Sequence, residues 1–234
     1  MVLSKRMRMN ADFVPDKSRV ADVGCDHGYV SIYLAQQKKC TRVIAMDVRE
    51  GPLGIARKNI AGAGLSEQVE CRLGDGLEKL EPGEIDTVLI AGMGGLLICR
   101  ILQKNPEVLR GVDCLILQPQ SDVDAVRRLL PALNYQITEE NFCFDEGKPY
   151  LAILAKKGEN RNLAYSEPEY CYGRISLQQN PAEYLAYLKQ EREKTVHIMD
   201  KLQSILTETS ETRREELLHT LRCIDEILAQ GPAK

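Results

Sequence analysis

Between residues 19 and 157, short apolar runs alternate with helix-length stretches, and this alternation constrains the fold more than any other feature of the chain. The runs fall at 20–23, 42–46, 69–73, 87–90 and 114–117, and helical spacing falls at 29–36, 52–63, 96–102 and 122–130. Near-continuous apolar strands joined by helices predict a parallel sheet covered on both faces, because a strand with helices above and below it needs no polar side. The last unit departs from this pattern. Runs 135–144 and 150–156 are separated only by Asp145-Glu-Gly-Lys-Pro149, too short for a crossover. The expected fold is therefore α/β, a doubly wound, mostly parallel sheet ending in an antiparallel hairpin.

The pattern changes after residue 157. Residues 158–181 are polar, tyrosine-rich and aperiodic, and read as a linker. Leu185, Leu188, Arg192, Thr195, Met199, Leu202 and Leu206 then follow a 3-4 spacing, which Thr207–Glu211 interrupts and Leu217, Leu221, Ile224 and Leu228 resume. Two such stretches predict a coiled-coil-like helical hairpin over 182–234, beside a first domain over 1–157 whose core is expected to need nothing after Gly158.

Lys plus Arg number 31 against 34 Asp plus Glu, a net charge of −3, which excludes a polybasic chain held to a polyanion by bulk charge. Local basic clusters remain at Lys5-Arg6-Arg8, Lys17-Arg19, Lys38-Lys39-Arg42, Arg127-Arg128 and Arg213-Arg214. No apolar run approaches the ~20 residues that span a bilayer, and no apolar core follows the first charges, so no membrane partner and no signal peptide are expected. The eight cysteines include no Cys-x-x-Cys pair, and His27, His197 and His219 stand apart from them in sequence. Reduced core thiols, a cytoplasmic location and no metal are the expectation.

The chemistry begins after the first strand, at Asp22-Val-Gly24-Cys25-Asp26-His27-Gly28. Strand, glycine turn and helix make a nucleotide-cofactor loop, yet Asp26 stands where the dinucleotide fingerprint places the glycine that faces a pyrophosphate. A carboxylate there repels phosphate by about 1 kcal/mol or more per close pair. It suits a phosphate-free cofactor with positive charge, and S-adenosyl-L-methionine, which carries a sulfonium and an ammonium, meets that description. Asp47, with Val48 beside it, ends the second strand where an acidic residue accepts ribose hydroxyls. Asp75 in Gly74-Asp75-Gly76 is expected at the adenine end. Ala91-Gly92-Met93-Gly94-Gly95 after strand four is expected to let backbone approach the cofactor or target base.

These segments, together with Gly51-Pro-Leu53, Leu115-Ile-Leu-Gln-Pro-Gln120 and Gly147-Lys-Pro-Tyr150, make the chain resemble the bacterial tRNA methyltransferases that modify N1 of adenine 22. The resemblance runs from Leu3-Ser-Lys-Arg6 to the helical C-terminal region. It implies a Rossmann-like methyltransferase domain, S-adenosylmethionine as donor and tRNA as acceptor. Adenine N1 holds its lone pair in the ring plane and attacks without first losing a proton, so no general base is obligatory. Enzymes that methylate the exocyclic amine typically carry Asn/Asp-Pro-Pro-Tyr/Phe after strand four, where this chain has Ala91–Gly95. Asp26 is the candidate acceptor for the N6 amine, His27 the candidate to orient the base or take a proton, and Tyr29 and Met93 candidate surfaces for it. A monomer or weak dimer is expected. The rival readings are a methyltransferase for another RNA site or a small molecule, and a nucleotide-binding interaction module that docks a partner through its helical hairpin.

Overall fold

The computed structural model describes residues 2–158, 165–175, 181–202 and 208–230. The strands are β1 (Ser18–Val23), β2 (Cys40–Asp47), β3 (Val69–Leu73), β4 (Thr87–Met93), β5 (Cys114–Pro119), β6 (Tyr135–Asp145) and β7 (Lys148–Lys157). They form one sheet in the order β3-β2-β1-β4-β5-β7-β6. Every pair from β3 to β5 is parallel, whereas β7 runs antiparallel to both β5 and β6. The expected doubly wound sheet with a terminal hairpin is thus present.

Alternation along the strands builds two cores. Ala21, Val23, Ile44, Met46, Val88, Ile90, Leu115 and Leu117 face the side covered by α4 (Gly95–Lys104), α5 (Pro106–Leu109) and α6 (Val123–Ala132). Val20, Val43, Ala45, Leu89 and Ile116 face α1 (Lys5–Phe13), α2 (Tyr29–Gln36) and α3 (Glu50–Gly62). Period-two burial on both faces is what a sheet with helices above and below requires.

Helix α1 has no counterpart in the sequence reading. Ser4 caps it by accepting from the Met7 N–H, the Arg6 N–H donates to Asp145 Oδ2 at 3.1 Å, and Lys39 Nζ donates to the carbonyls of Ala11 and Asp12. These bonds lay the helix along one face of the sheet, with Arg6 near Asp145 at the end of β6 and Ala11 and Asp12 near Lys39 at the start of β2.

The region beyond Lys157 is more involved with the sheet than its sequence implies. Within the stretch read as a linker, α7 (Glu167–Tyr172) forms a capping box between Ser166 and Glu169. Residues 159–164 and 176–180 lie outside the described residues. Helices α8 (Pro181–Leu202) and α9 (Glu208–Gln230) pack on each other and on the hairpin: Tyr184, Leu188, Ile224 and Ile227 bury Phe142 of β6. The Tyr184 hydroxyl donates to the Tyr172 carbonyl. The 3-4 seam is wider than expected, since Cys223 and Ile227 are buried alongside Leu217 and Ile224. Helix α9 is covered on two sides, by α8 and by α7, and one narrow stripe cannot serve both. Leu206 and Thr207 lie outside the described residues, whereas Glu208–Glu211 of the expected interruption already belong to α9.

Arg127, read as half of a surface basic cluster, is instead buried. It pairs with Glu140 and donates to the carbonyls of Tyr170 and Cys171. The expectation that nothing after Gly158 completes the first core therefore fails: Phe142 and Arg127 take partners from beyond it. A second correction concerns the histidines, because the fold brings His219 together with Cys171 and Cys223.

Candidate active site

A cavity of about 590 Å³ opens at the C-terminal ends of β1, β2 and β4. The chain leaves β1 for β2 on one side and reaches β4 on the other, so the connecting loops part at this point of the sheet. In open α/β sheets, that crevice is where ligands sit.

Two buried carboxylates form its floor. Asp22 points to the α2 side of β1, where the Ser31 hydroxyl donates to its Oδ2 at 2.6 Å. Burial raises the Asp22 carboxyl to about 6, with the Ser31 hydrogen bond acting against that rise and the nearby charge of Asp47 adding to it. Asp47 ends β2, and its Oδ1 accepts from the Arg49 N–H at 2.8 Å. Cys25 lies between the loop and these acids. Burial, followed by the charges of Asp22 and Asp47, pushes its thiol far above the ordinary range, so it is no nucleophile.

The loop backbone is fixed from below: the N–H groups of Gly24 and Cys25 both donate to the Met46 carbonyl of β2. Gly24 adopts φ +74°, and a Cβ there would collide with the Met93 methyl. Asp26 holds φ +52° with its side chain largely exposed, and its Oδ2 lies 2.8 Å from His27 Nδ1.

Of the residues expected to hold a cofactor, Asp22, Gly24, Cys25, Asp26, Asp47, Val48, Gly74, Asp75, Gly76, Ala91, Gly92 and Met93 line this one cavity. Gly28 and Gly94 do not. They are the N-caps of α2 and α4. His27 and Tyr29 also lie outside the lining, their rings stacked at 5.7 Å. Met7, Asn10, Leu97, Arg100 and Ile101 also line the cavity, though no sequence motif marks them, and so does Arg6 of the first basic cluster. Asn10 is buried, and its Oδ1 has no hydrogen-bond partner. A buried amide oxygen left without a donor costs about 1–3 kcal/mol, which a ligand donor would relieve. Arg6 lies over the Tyr150 ring at 5.1 Å and close above Gly92.

The cavity thus presents two buried acids, an acceptor-rich wall and backbone glycines, with a basic rim from Arg6 and Arg100. The acids fit a ligand carrying positive charge and hydroxyls, and Gly24 and Gly76 permit close approach, since a Cβ at Gly76 would press on Ile101.

Comparison with known proteins agrees with this geometry. Residues 3–153 match the methyltransferase domain family. The Bacillus subtilis tRNA (adenine(22)-N(1))-methyltransferase is 31% identical over 234 residues, spanning 98% of each chain. The crystal structure of the B. subtilis m1A22 tRNA methyltransferase TrmK superposes with a TM-score of 0.82 at 30% identity, covering 97% of this chain and 98% of that one. Mycoplasma capricolum TrmK, solved with S-adenosyl-homocysteine, superposes with a TM-score of 0.82 at 26% identity over 98% of this chain and 99% of that one. With a full-length relative at this identity and the same fold from end to end, this chain belongs to the tRNA (adenine(22)-N(1))-methyltransferase family.

Proposed function

We propose that this chain transfers a methyl group from S-adenosylmethionine to N1 of adenine 22 in tRNA. The observation that carries the reading is the pair of buried carboxylates, Asp22 and Asp47, beneath a glycine loop in which Asp26 replaces the phosphate-facing glycine. That cavity suits a cationic, phosphate-free nucleoside. The donor supplies a methyl carbon on a sulfonium, which departs as a neutral thioether when attacked in line.

The residues divide the work by position. Asp47 accepts the ribose hydroxyls, Asp22 balances the donor's positive charge from below, and the Gly74–Gly76 turn receives the adenine end. Asp26 and Asn10 are acceptors for the N6 amine of the target base, which raises electron density at N1. His27 is a positioning residue that holds the Asp26 carboxylate through Nδ1. The base must leave its stack to reach this depth, at a cost of a few kcal/mol. Arg6 and Arg100 at the rim supply phosphate contacts. Arg127 and Arg128 do not join them, since Arg127 is buried and Arg128 pairs with Glu167.

No helix among the described residues is long and apolar enough to cross a membrane. A tRNA substrate and cysteines that are all free favour a cytoplasmic enzyme, acting as a monomer or weak dimer. The test is methyl transfer to unmodified tRNA transcripts, read by mass spectrometry of the digested nucleosides. N1-methyladenosine from the wild-type transcript, and none when adenine 22 is replaced by guanine, is the expected result. N6-methyladenosine, or equal labelling of the control, would overturn the proposal.

A further inference from the structure

Outside the methyltransferase cavity, one cluster of donor atoms has no part in the chemistry above. Cys171 lies in the last turn of α7, while His219 and Cys223 lie one turn apart on one face of α9. The two sulfurs and an imidazole nitrogen all fall within 4.8 Å of one another. His219 Nε2 is 3.8 Å from Cys223 Sγ. A fourth donor stands beside them: Glu167 Oε1 is 3.6 Å from His219 Nε2 and 4.0 Å from Cys171 Sγ.

Those separations are close to the edges of a tetrahedral zinc site. With Zn–S of about 2.3 Å and Zn–N of about 2.0–2.1 Å, neighbouring ligand atoms lie roughly 3.5–3.8 Å apart. The donors need move inward only by fractions of an ångström to about 1 Å. Two thiolates and an imidazole are a soft to borderline set that favours zinc over magnesium or calcium. Cys223 is buried while the His219 ring remains half exposed, which gives an ion a way in. The ligand-bearing helix α7 is also held. Arg127 donates to the Cys171 carbonyl at 2.9 Å, and Arg128 donates to Glu167 Oε1 at 2.5 Å while lying over the Tyr170 ring.

We propose that Cys171, His219 and Cys223, with Glu167 as fourth donor, form a structural zinc site that pins the C-terminal helices to α7. Helix α7 is six residues long and reaches α6 through Arg127 and Arg128, so an ion here would bind the helical region to the methyltransferase domain. Sequence order hides the site, because Glu167 and Cys171 come from α7 and His219 and Cys223 from α9, on opposite sides of α8.

The experiment uses the full-length chain, treated with chelator under reducing conditions and titrated with Co²⁺ as a spectroscopic stand-in. One equivalent should produce thiolate-to-cobalt absorption in the near ultraviolet and intense visible bands of tetrahedral cobalt, both removed by Zn²⁺. His219→Gln alters a half-exposed side chain and should leave the fold intact. Because losing even an outer partner of a metal ligand costs about 10–100-fold, it should weaken cobalt binding by about 100-fold or more. Cys223→Ser should remove the charge-transfer band, whereas Cys40→Ala should leave it unchanged. Zinc should raise the thermal midpoint of the wild-type chain and not that of His219→Gln. Absence of the thiolate band, unchanged affinity in His219→Gln, or a Cys171–Cys223 disulfide as the resident state of the untreated chain would each overturn the proposal.

Discussion

Arg127 Nε lies 2.7 Å from Glu140 Oε1, and neither side chain is exposed to solvent. The pair joins α6 to β6, and Arg127 Nη1 continues to the carbonyls of Tyr170 and Cys171 at 2.8 and 2.9 Å. One guanidinium thus bridges the methyltransferase domain and the C-terminal region. Removing one partner of a buried pair strands the other charge, so Glu140→Ala should lower stability by about 3–5 kcal/mol in urea unfolding. Replacing both, as Arg127→Met with Glu140→Leu, should recover only part of that loss, because the two carbonyls lose their donor. A Glu140→Ala chain as stable as wild type would show that the pair is not sealed from water.

Asp22 gives the apoprotein a pH-dependent stability. Its folded carboxyl titrates near 6 rather than 3.8, raised by burial against the Ser31 hydrogen bond, so the folded state binds that proton more tightly than the unfolded chain does. Above pH 6 the ionised group opposes folding by about 3 kcal/mol, and this penalty fades as the pH falls from 6 towards 4. A cationic cofactor stabilises the ionised form and expels the proton. Affinity for S-adenosylmethionine should therefore be level above about pH 7 and decline below 6, by up to about tenfold per pH unit. Asp22→Asn should flatten this profile and stabilise the apoprotein at pH 7. Calorimetry between pH 5 and 8 reads both, and a wild-type profile that stays flat would separate Asp22 from the cofactor.

Asp47 tests the opposite end of the donor. If it accepts two ribose hydroxyls, Asp47→Ala should weaken S-adenosylmethionine binding by about 1.5–3 kcal/mol, the usual worth of hydrogen bonds to a charged group. The Arg49 N–H also loses its acceptor, so stability must be measured alongside affinity. Unchanged affinity in a folded variant would remove Asp47 from the cofactor site.

The parts of this molecule that were legible in its sequence share a physical cause. Strands buried on both faces leave continuous apolar runs, and residues such as Asp47, Gly74 and Met93 at their C-terminal ends are brought together by the topology itself. Helix α1 left no such trace. Its sequence KRMRMNADF buries only Met9, Asn10 and Ala11, a small and partly polar face, so neither the helix nor Asn10 was foreseen. His27, Gly28 and Gly94 stand outside the cavity lining for the reverse reason. They share a motif with cavity residues, but a loop has two sides, and these positions cap helices or turn outward. Arg127 was misread because sequence gives its charge but not Glu140, which faces it from another element.

Asp26 and Asn10 offer the sharpest test of catalysis. Both line the cavity, but their surroundings differ: Asp26 is exposed and tied to His27 Nδ1, whereas Asn10 is buried with Oδ1 unpartnered. An acceptor that strengthens its bond to the N6 amine as N1 takes positive charge acts mainly in the transition state. Its loss should therefore reach turnover more than binding. Asp26→Asn keeps the shape and one acceptor but removes the charge. Single-turnover methylation at saturating tRNA should fall by about 10–100-fold, the equivalent of about 1.5–3 kcal/mol, while the affinities for tRNA and S-adenosylmethionine change little. His27→Gln should cost less, because a positioning residue loses only the restraint on Asp26. Asn10→Ala should slow methylation and yet leave the apoprotein as stable as before or more so, since it deletes a buried oxygen that has no donor. If Asp26→Asn turned over at the wild-type rate, Asp26 would be reduced to a turn residue of the loop. If Asn10→Ala destabilised the fold without slowing the reaction, the unpartnered oxygen would belong to packing and not to the base.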